Sequence, residues 1–128
     1  MDEVIKKTFG SLQNAEELGF VWPDYKALLL AVQSEISEIE EVIVKQETPD
    51  RLCEEIGDLL LGCIEICRFF SISPTQSLSM AEEKFTKRFN KLTENLRREG
   101  KINLTGESHQ QRLSRWRDAK NEVSSERC

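Results

Sequence analysis

The sequence predicts an all-α protein, a bundle of four to five helices, and three observations carry that expectation. Apolar residues recur at helical spacing through the middle of the chain. Capping signals punctuate it into segments of helix length, and no segment between them reads as a credible strand. The composition agrees, because 128 residues with 32% charged, 38% hydrophobic and only 6 Gly and 3 Pro suit one soluble helical domain, spanning 1–128, rather than a sandwich or a disordered tail.

Each element has its own signal. A first helix covers roughly Asp2 to Leu18 and stops at Gly19, since glycine takes the left-handed conformation without a Cβ penalty. Trp22-Pro23-Asp24 opens a second helix that runs to about Val44. Along it Leu28, Val32, Ile36, Ile39 and Ile43 recur at steps of four or three, making one apolar stripe that must meet a partner. Thr48-Pro49 supplies an N-cap followed by proline at the first helical position, so a third helix runs from Pro49 to about Phe70. Between Leu59 and Phe70 it is apolar nearly all round, as expected of a helix packed on several sides in a bundle or a dimer interface. Ser73-Pro74-Thr75-Gln76 starts a fourth helix with a capping box, ending before Gly100. Gly100 to Glu107 reads as a flexible linker, and Ser108-His109-Gln110-Gln111 opens a short fifth helix.

Two acidic pairs stand out. Glu35 and Glu38 lie three residues apart on one face of the second helix, and Glu55 and Asp58 repeat that spacing on the third. Antiparallel packing of the two helices, which a short connection favours, lets the four carboxylates converge. Gathered beside an apolar wall they would repel one another or take up protons unless a cation sat among them. Oxygen-only ligands suit a hard ion, Mg²⁺ or Mn²⁺, rather than zinc. The alternative is that these are ordinary solvated helix charges. Gly57 inside the helix costs about 1 kcal/mol relative to alanine and so suggests close backbone approach. Asp58 abuts Leu59-Leu60-Leu61, which sets an acid beside a buried segment. A di-iron carboxylate bundle wants Glu-x-x-His pairs, and the single histidine, His109, follows no such glutamate.

These residues resemble a known family. Gly19-Phe20-Val21-Trp22-Pro23-Asp24, the Glu35/Glu38 pair, Glu55-Ile56-Gly57-Asp58-Leu59-Leu60, Lys84-Phe85-Thr86-Lys87-Arg88-Phe89 and Trp116-Arg117-Asp118-Ala119-Lys120 follow in the order and spacing of the MazG-type nucleoside triphosphate pyrophosphohydrolases. The resemblance is closest to their C-terminal catalytic repeat. It implies an all-α, MazG-like fold, a homodimer or dimer of dimers, and hydrolysis of a nucleoside triphosphate to the monophosphate and pyrophosphate by water that Mg²⁺ activates, with Mn²⁺ as a possible substitute. House-cleaning of the nucleotide pool is the expected role.

Residue by residue, the resemblance makes Glu35, Glu38, Glu55 and Asp58 the metal ligands. Lys84 and Arg88, one turn apart, match its phosphate-contacting pair and would steady the leaving pyrophosphate, where charge accumulates. Trp116 and Lys120 match its C-terminal nucleotide contacts, so the basic segment 99–128 would complete the nucleotide site. Glu38 is the nominal general base, the alternative being a metal-bound hydroxide that needs no dedicated base. Trp22 could stack on a base or pack as a staple at the helix entrance, and Trp116 could stack on a base or dock the last helix. Two positions depart from the pattern: Ser34 stands where the family has the first acid of its EExxE, and Glu82 where an Asn is common two residues before the phosphate lysine.

Charge and cysteine usage bound the alternatives. Residues 1–83 carry 17 acids against 6 bases and residues 84–128 carry 6 against 12, for a net charge of −5. The total argues against a uniformly basic nucleic-acid binder. The longest apolar run, Leu59 to Phe70, is broken by Glu65 and Arg68, so no membrane span is expected. The opening Met-Asp-Glu-Val-Ile-Lys-Lys lacks a signal peptide's apolar core, and together these predict a cytoplasmic protein. Cys53, Cys63, Cys67 and Cys128 then read as reduced thiols, with Cys63 and Cys67 packed in the core, since nothing completes a four-ligand metal site around them. No Gly-rich phosphate loop and no nucleophilic triad is present. The competing reading is a helical interaction module whose basic C-terminal half binds an acidic partner or RNA.

Overall fold

The computed structural model describes residues 2–126. Five helices, and no strand among the described residues, make up the chain: α1 (Asp2–Glu17), α2 (Tyr25–Val44), α3 (Pro49–Phe69), α4 (Pro74–Arg98) and α5 (His109–Ser125). The chain divides into two compact units, Met1–Ser77 and Leu78–Cys128. Cys128, the fourth expected thiol, lies outside the described residues. No helix among the described residues is long and apolar enough to cross a membrane.

The helix starts follow the capping chemistry. Asp24 accepts from the Ala27 backbone N–H at 2.8 Å, Thr48 from Arg51 at 3.3 Å ahead of Pro49, and Ser73 from Gln76 at 3.2 Å. At α5 the box is complete, with Ser108 Oγ accepting from Gln111 N–H and the Gln111 side chain accepting from Ser108 N–H. That helix extends to Ser125 and is not short.

Four of the five helix stops share one device. The amides of Phe20, Glu47, Ile72 and Lys101 reach back five residues to the carbonyls of Ala15, Val42, Cys67 and Leu96, closing four Schellman turns. The left-handed residue of each is Gly19, Gln46, Ser71 and Gly100. Two of the four stops therefore lack the glycine that would announce them.

In the N-terminal unit α2 packs against α3, and α1 against α3. The α2–α3 pair is antiparallel, because Trp22 meets Glu65, Val32 meets Gly62, and Glu35 and Glu38 meet Glu55 and Asp58. The close approach lies at Gly62, where a Cβ would stand 2.9 Å from Val32 Cγ2. Gly57 has nothing within 4 Å of its missing Cβ, which corrects the expectation that the tight contact falls there. α1 is held by Arg68, whose Nε and Nη2 donate to Glu16 at 2.8 and 3.0 Å while its guanidinium lies over the Phe9 ring.

This unit leaves much apolar surface uncovered. Leu28 of the α2 stripe is buried, as is Val42 outside it, yet Ile36 and Ile43 of that stripe remain 56% and 57% exposed. Tyr25 and Leu29 continue the exposed line, Ile56, Leu60 and Phe69 are open on α3, and Phe70 is open just past its end. Cys63 is exposed rather than packed in a core, and Cys67 is half-buried.

In the C-terminal unit Leu92, Leu96 and Ala119 form a core against which Leu104 and Trp116 pack. The connection 100–107, expected as a flexible linker, is tied down by charge. Arg115 donates to both oxygens of Glu99, at 2.7 and 3.0 Å, and also to Glu107, which pairs with Lys101 at 3.2 Å.

Candidate active site

The four acids singled out in α2 and α3 do come together. One oxygen from each of Glu35, Glu38, Glu55 and Asp58 lies within 4.8 Å of all the others. Their placement follows from the i, i+3 spacing on two antiparallel helices, drawn close by the Val32–Gly62 contact. The cluster grades from buried to open: Glu55 is 7% exposed, Glu35 half-buried, and Glu38 and Asp58 exposed.

Its electrostatics are unbalanced. Glu55 Oε2 and Glu35 Oε2 are both buried without a hydrogen-bond partner, in a class of atoms that folded proteins almost always satisfy. Burial, and then the neighbouring carboxylate of Glu38, push the Glu55 carboxyl above its ordinary value of 4.5, against the lowering effect of Arg51. A bound cation removes both costs at once. Opposite oxygens around a six-coordinate Mg²⁺ stand about 4.2 Å apart and those around a larger hard cation about 4.8 Å apart, a span comparable with the 4.8 Å limit within which these four oxygens gather.

Around the acids, Ser34, where the family pattern has an acid, donates its hydroxyl to the Ala31 carbonyl at 2.6 Å and is spent within its own helix. Trp22 is neither free nor fully packed. Its indole Nε1 donates to Glu65 Oε2 at 2.7 Å while the residue stays 37% exposed, so the ring is anchored by its edge.

The remaining candidates belong to the C-terminal unit. Lys84 is exposed on α4, and Arg88, one turn on, is half-buried with its Nε buried and unpartnered. An orphaned guanidinium donor calls for an acceptor oxygen, as a phosphate would supply. Glu82 accepts from Thr86 Oγ1 at 2.7 Å. Trp116 packs on Phe85, with ring centroids 5.3 Å apart, which docks α5 on α4; Lys120 is exposed. The basic turn around Trp116 has a structural use that sequence reasoning missed, since Arg115 is consumed by Glu99 and Glu107, and Arg112 donates to the Leu104 carbonyl at 3.4 Å.

Three further residues have duties that the sequence did not assign: Arg51, which holds Glu55; Glu65, which anchors Trp22; and Phe85, which backs Trp116. Only Arg51 carries a signal, standing four residues before Glu55 on the same helix face.

Comparison with known proteins finds sequence relatives. The chain is 32% identical over 90 residues to the nucleoside triphosphate pyrophosphohydrolase/pyrophosphatase MazG of Thermotoga maritima, covering 70% of this chain and 34% of that protein. It is 33% identical over 66 residues to the uncharacterized protein YabN of Bacillus subtilis, covering 52% of this chain and 13% of that one. The matches thus span about a third of the first relative and less of the second. No solved structure matches the chain. The model of the MazG nucleotide pyrophosphohydrolase domain matches residues 24–93, a stretch that holds all four acids together with Lys84 and Arg88. That match takes in more than half of the chain, which therefore belongs to the MazG nucleotide pyrophosphohydrolase domain family.

Proposed function

We propose that the chain is a Mg²⁺-dependent pyrophosphohydrolase that cleaves ribo- or deoxyribonucleoside triphosphates to the monophosphate and pyrophosphate and serves to clear the nucleotide pool. The observation that carries the reading is the pair of buried, unpartnered oxygens, Glu35 Oε2 and Glu55 Oε2, inside a four-acid cluster of a chain in this family. Glu35, Glu38, Glu55 and Asp58 hold the cation, Mg²⁺ or Mn²⁺ by the hardness of four carboxylates. When bound, the cation supplies neutralisation of phosphate oxygens and activation of the attacking water.

The other roles fall to side chains. Lys84 and Arg88 bind phosphate oxygens and stabilise the charge that develops on the departing pyrophosphate. The unpartnered Arg88 Nε supports that role. Glu38, an exposed member of the cluster, accepts the proton of the attacking water. Trp116 and Lys120, with the segment 99–128, contact the nucleotide, and Trp22, held at its edge by Glu65, offers a ring face to a base.

A homodimer, alone or paired into a dimer of dimers, goes with this reading. Tyr25, Leu29, Ile36 and Ile43 form one exposed line along α2, and a second copy is the natural cover for it. Sedimentation equilibrium checks this: the wild type sediments as a dimer or larger, and Ile36→Glu shifts it toward monomer.

The interaction-module alternative draws less support, because Lys91, Arg98, Lys101 and Arg115 of the basic half are already paired with acids of the same half. Incubation of the protein with mixed nucleoside triphosphates and Mg²⁺ separates the two. The enzyme reading expects monophosphate and pyrophosphate in equal amounts, lost on chelation and in Asp58→Asn. Orthophosphate with diphosphate, or no turnover, contradicts it.

A further inference from the structure

The most buried residue of the acidic cluster, Glu55, is not free to turn its carboxylate. Arg51 sits one helical turn before Glu55 on α3, and its Nη2 donates to Glu55 Oε1 at 2.8 Å. Its Nη1 donates to Glu54 Oε2 at 2.6 Å, and its Nε lies 4.0 Å from Glu47 Oε1. The guanidinium is thus held by three carboxylates and in turn holds one of them. Glu55 Oε1 is spent on this contact, and Oε2 is the oxygen left buried and unpartnered.

We propose that Arg51 is a positioning residue for the cation site, fixing Glu55 so that Oε2 alone faces Glu35, Glu38 and Asp58. The proposal rests on the reading of those four acids as cation ligands. The terminal torsion of a glutamate is broad and two-fold, so an untethered Glu55 would sample both oxygens and could turn either toward Glu38. Arg51 removes that freedom with a planar fork whose two arms reach two different carboxylates, which a lysine ammonium, a single point charge, does not reproduce.

Two effects of Arg51 on cation binding have opposite signs. Its positive charge repels an incoming cation, and its grip on Glu55 prepares a ligand. The Arg51 side chain is 45% exposed, so water and salt weaken the repulsion. The orientation of a 7% exposed carboxylate is not screened in that way. Preorganisation wins, and loss of a group that orients a metal ligand typically costs about 10–100-fold in metal affinity.

Mn²⁺ binding to the purified full chain, followed by the loss of the free-ion electron paramagnetic resonance signal, tests this without substrate or turnover. Arg51→Met is expected to bind Mn²⁺ about tenfold more weakly or worse, and Arg51→Lys, which keeps the charge without the fork, recovers little of the loss. In a Glu55→Gln background Arg51→Met adds no further loss, because both changes act through one ligand. Far-UV circular dichroism establishes that each variant is helical, and Arg51→Lys serves should Arg51→Met not fold. Mn²⁺ binding that is unchanged or tighter in Arg51→Met, or fully wild-type in Arg51→Lys, overturns the proposal. If that occurs while Glu55→Gln abolishes binding, the cation site stands and only the role of Arg51 falls. Wild-type Mn²⁺ binding in Glu55→Gln overturns both.

Discussion

The carboxylates between α2 and α3 and those at the α4–α5 connection receive opposite treatment. At the connection Glu99 and Glu107 converge on Arg115, and Lys101 adds a second cation to Glu107. Both acids are held below the ordinary carboxylate value, first through their hydrogen bonds to Arg115. Between α2 and α3 only Glu55 of the four acids pairs with Arg51, two buried oxygens lack any partner, and Glu55 is pushed up. Charge that serves the fold is satisfied from within the chain; charge left unsatisfied beside a packed helix pair marks a place for something the chain does not supply.

The same substitution in the two regions breaks this comparison most sharply. Glu55→Gln is expected to lower turnover of nucleoside triphosphates by more than the roughly 10–100-fold that loss of an outer-shell partner costs. It should leave Tm at or above that of the wild type, since it removes an acid whose ionisation the fold disfavours. Glu107→Gln is expected to do the reverse, lowering Tm while sparing turnover per folded molecule. Thermal melts and steady-state rates on the two variants check both halves, and a fall in Tm for Glu55→Gln would show that its charge stabilises the fold.

Arg115→Met sharpens the structural side through pH. The partners of Arg115 have lowered values when folded, so their contribution is fully present above the ordinary value of 4.5 and disappears as pH falls through the lowered ones. The Tm gap between wild type and Arg115→Met should therefore stay constant from neutral pH to about 4.5 and close below it. A gap that closes already between pH 7 and 5 would assign the effect to another group.

The glycines give the smallest effects, and again opposite signs. Gly62→Ala drives a Cβ into Val32, whose branched side chain has one strongly preferred rotamer in a helix, and should destabilise by about 1–2 kcal/mol net of the helix propensity gained. Gly57→Ala meets nothing within 4 Å and should stabilise by about 0.5–1 kcal/mol. Urea unfolding resolves both, and a loss of stability for Gly57→Ala would reveal that a second copy approaches there.

Much of this was legible from local chemistry. The five helices, Gly19 and Gly100 as stops, the caps at Asp24, Thr48 and Ser108, and the i, i+3 acids each follow from residues adjacent in sequence or on one helix face. What was not legible depends on partners distant in the chain or on non-glycine residues in left-handed turns. Gln46 and Ser71 end α2 and α3 in the left-handed region without a glycine to announce it. Which glycine meets a neighbour, 57 or 62, depends on the α2–α3 register, and the duty of Arg115 depends on Glu99 lying sixteen residues away. The edge anchor of Trp22 on Glu65 spans 43 residues.

The claim that the unsatisfied carboxylates form a cation site is tested most directly by calorimetric titration of the purified chain with Mg²⁺, alongside the Glu35→Gln/Glu55→Gln double variant. Saturable binding to the wild type that is absent from a folded double variant is the expected result. Equal binding to both, or none to the wild type, would contradict it.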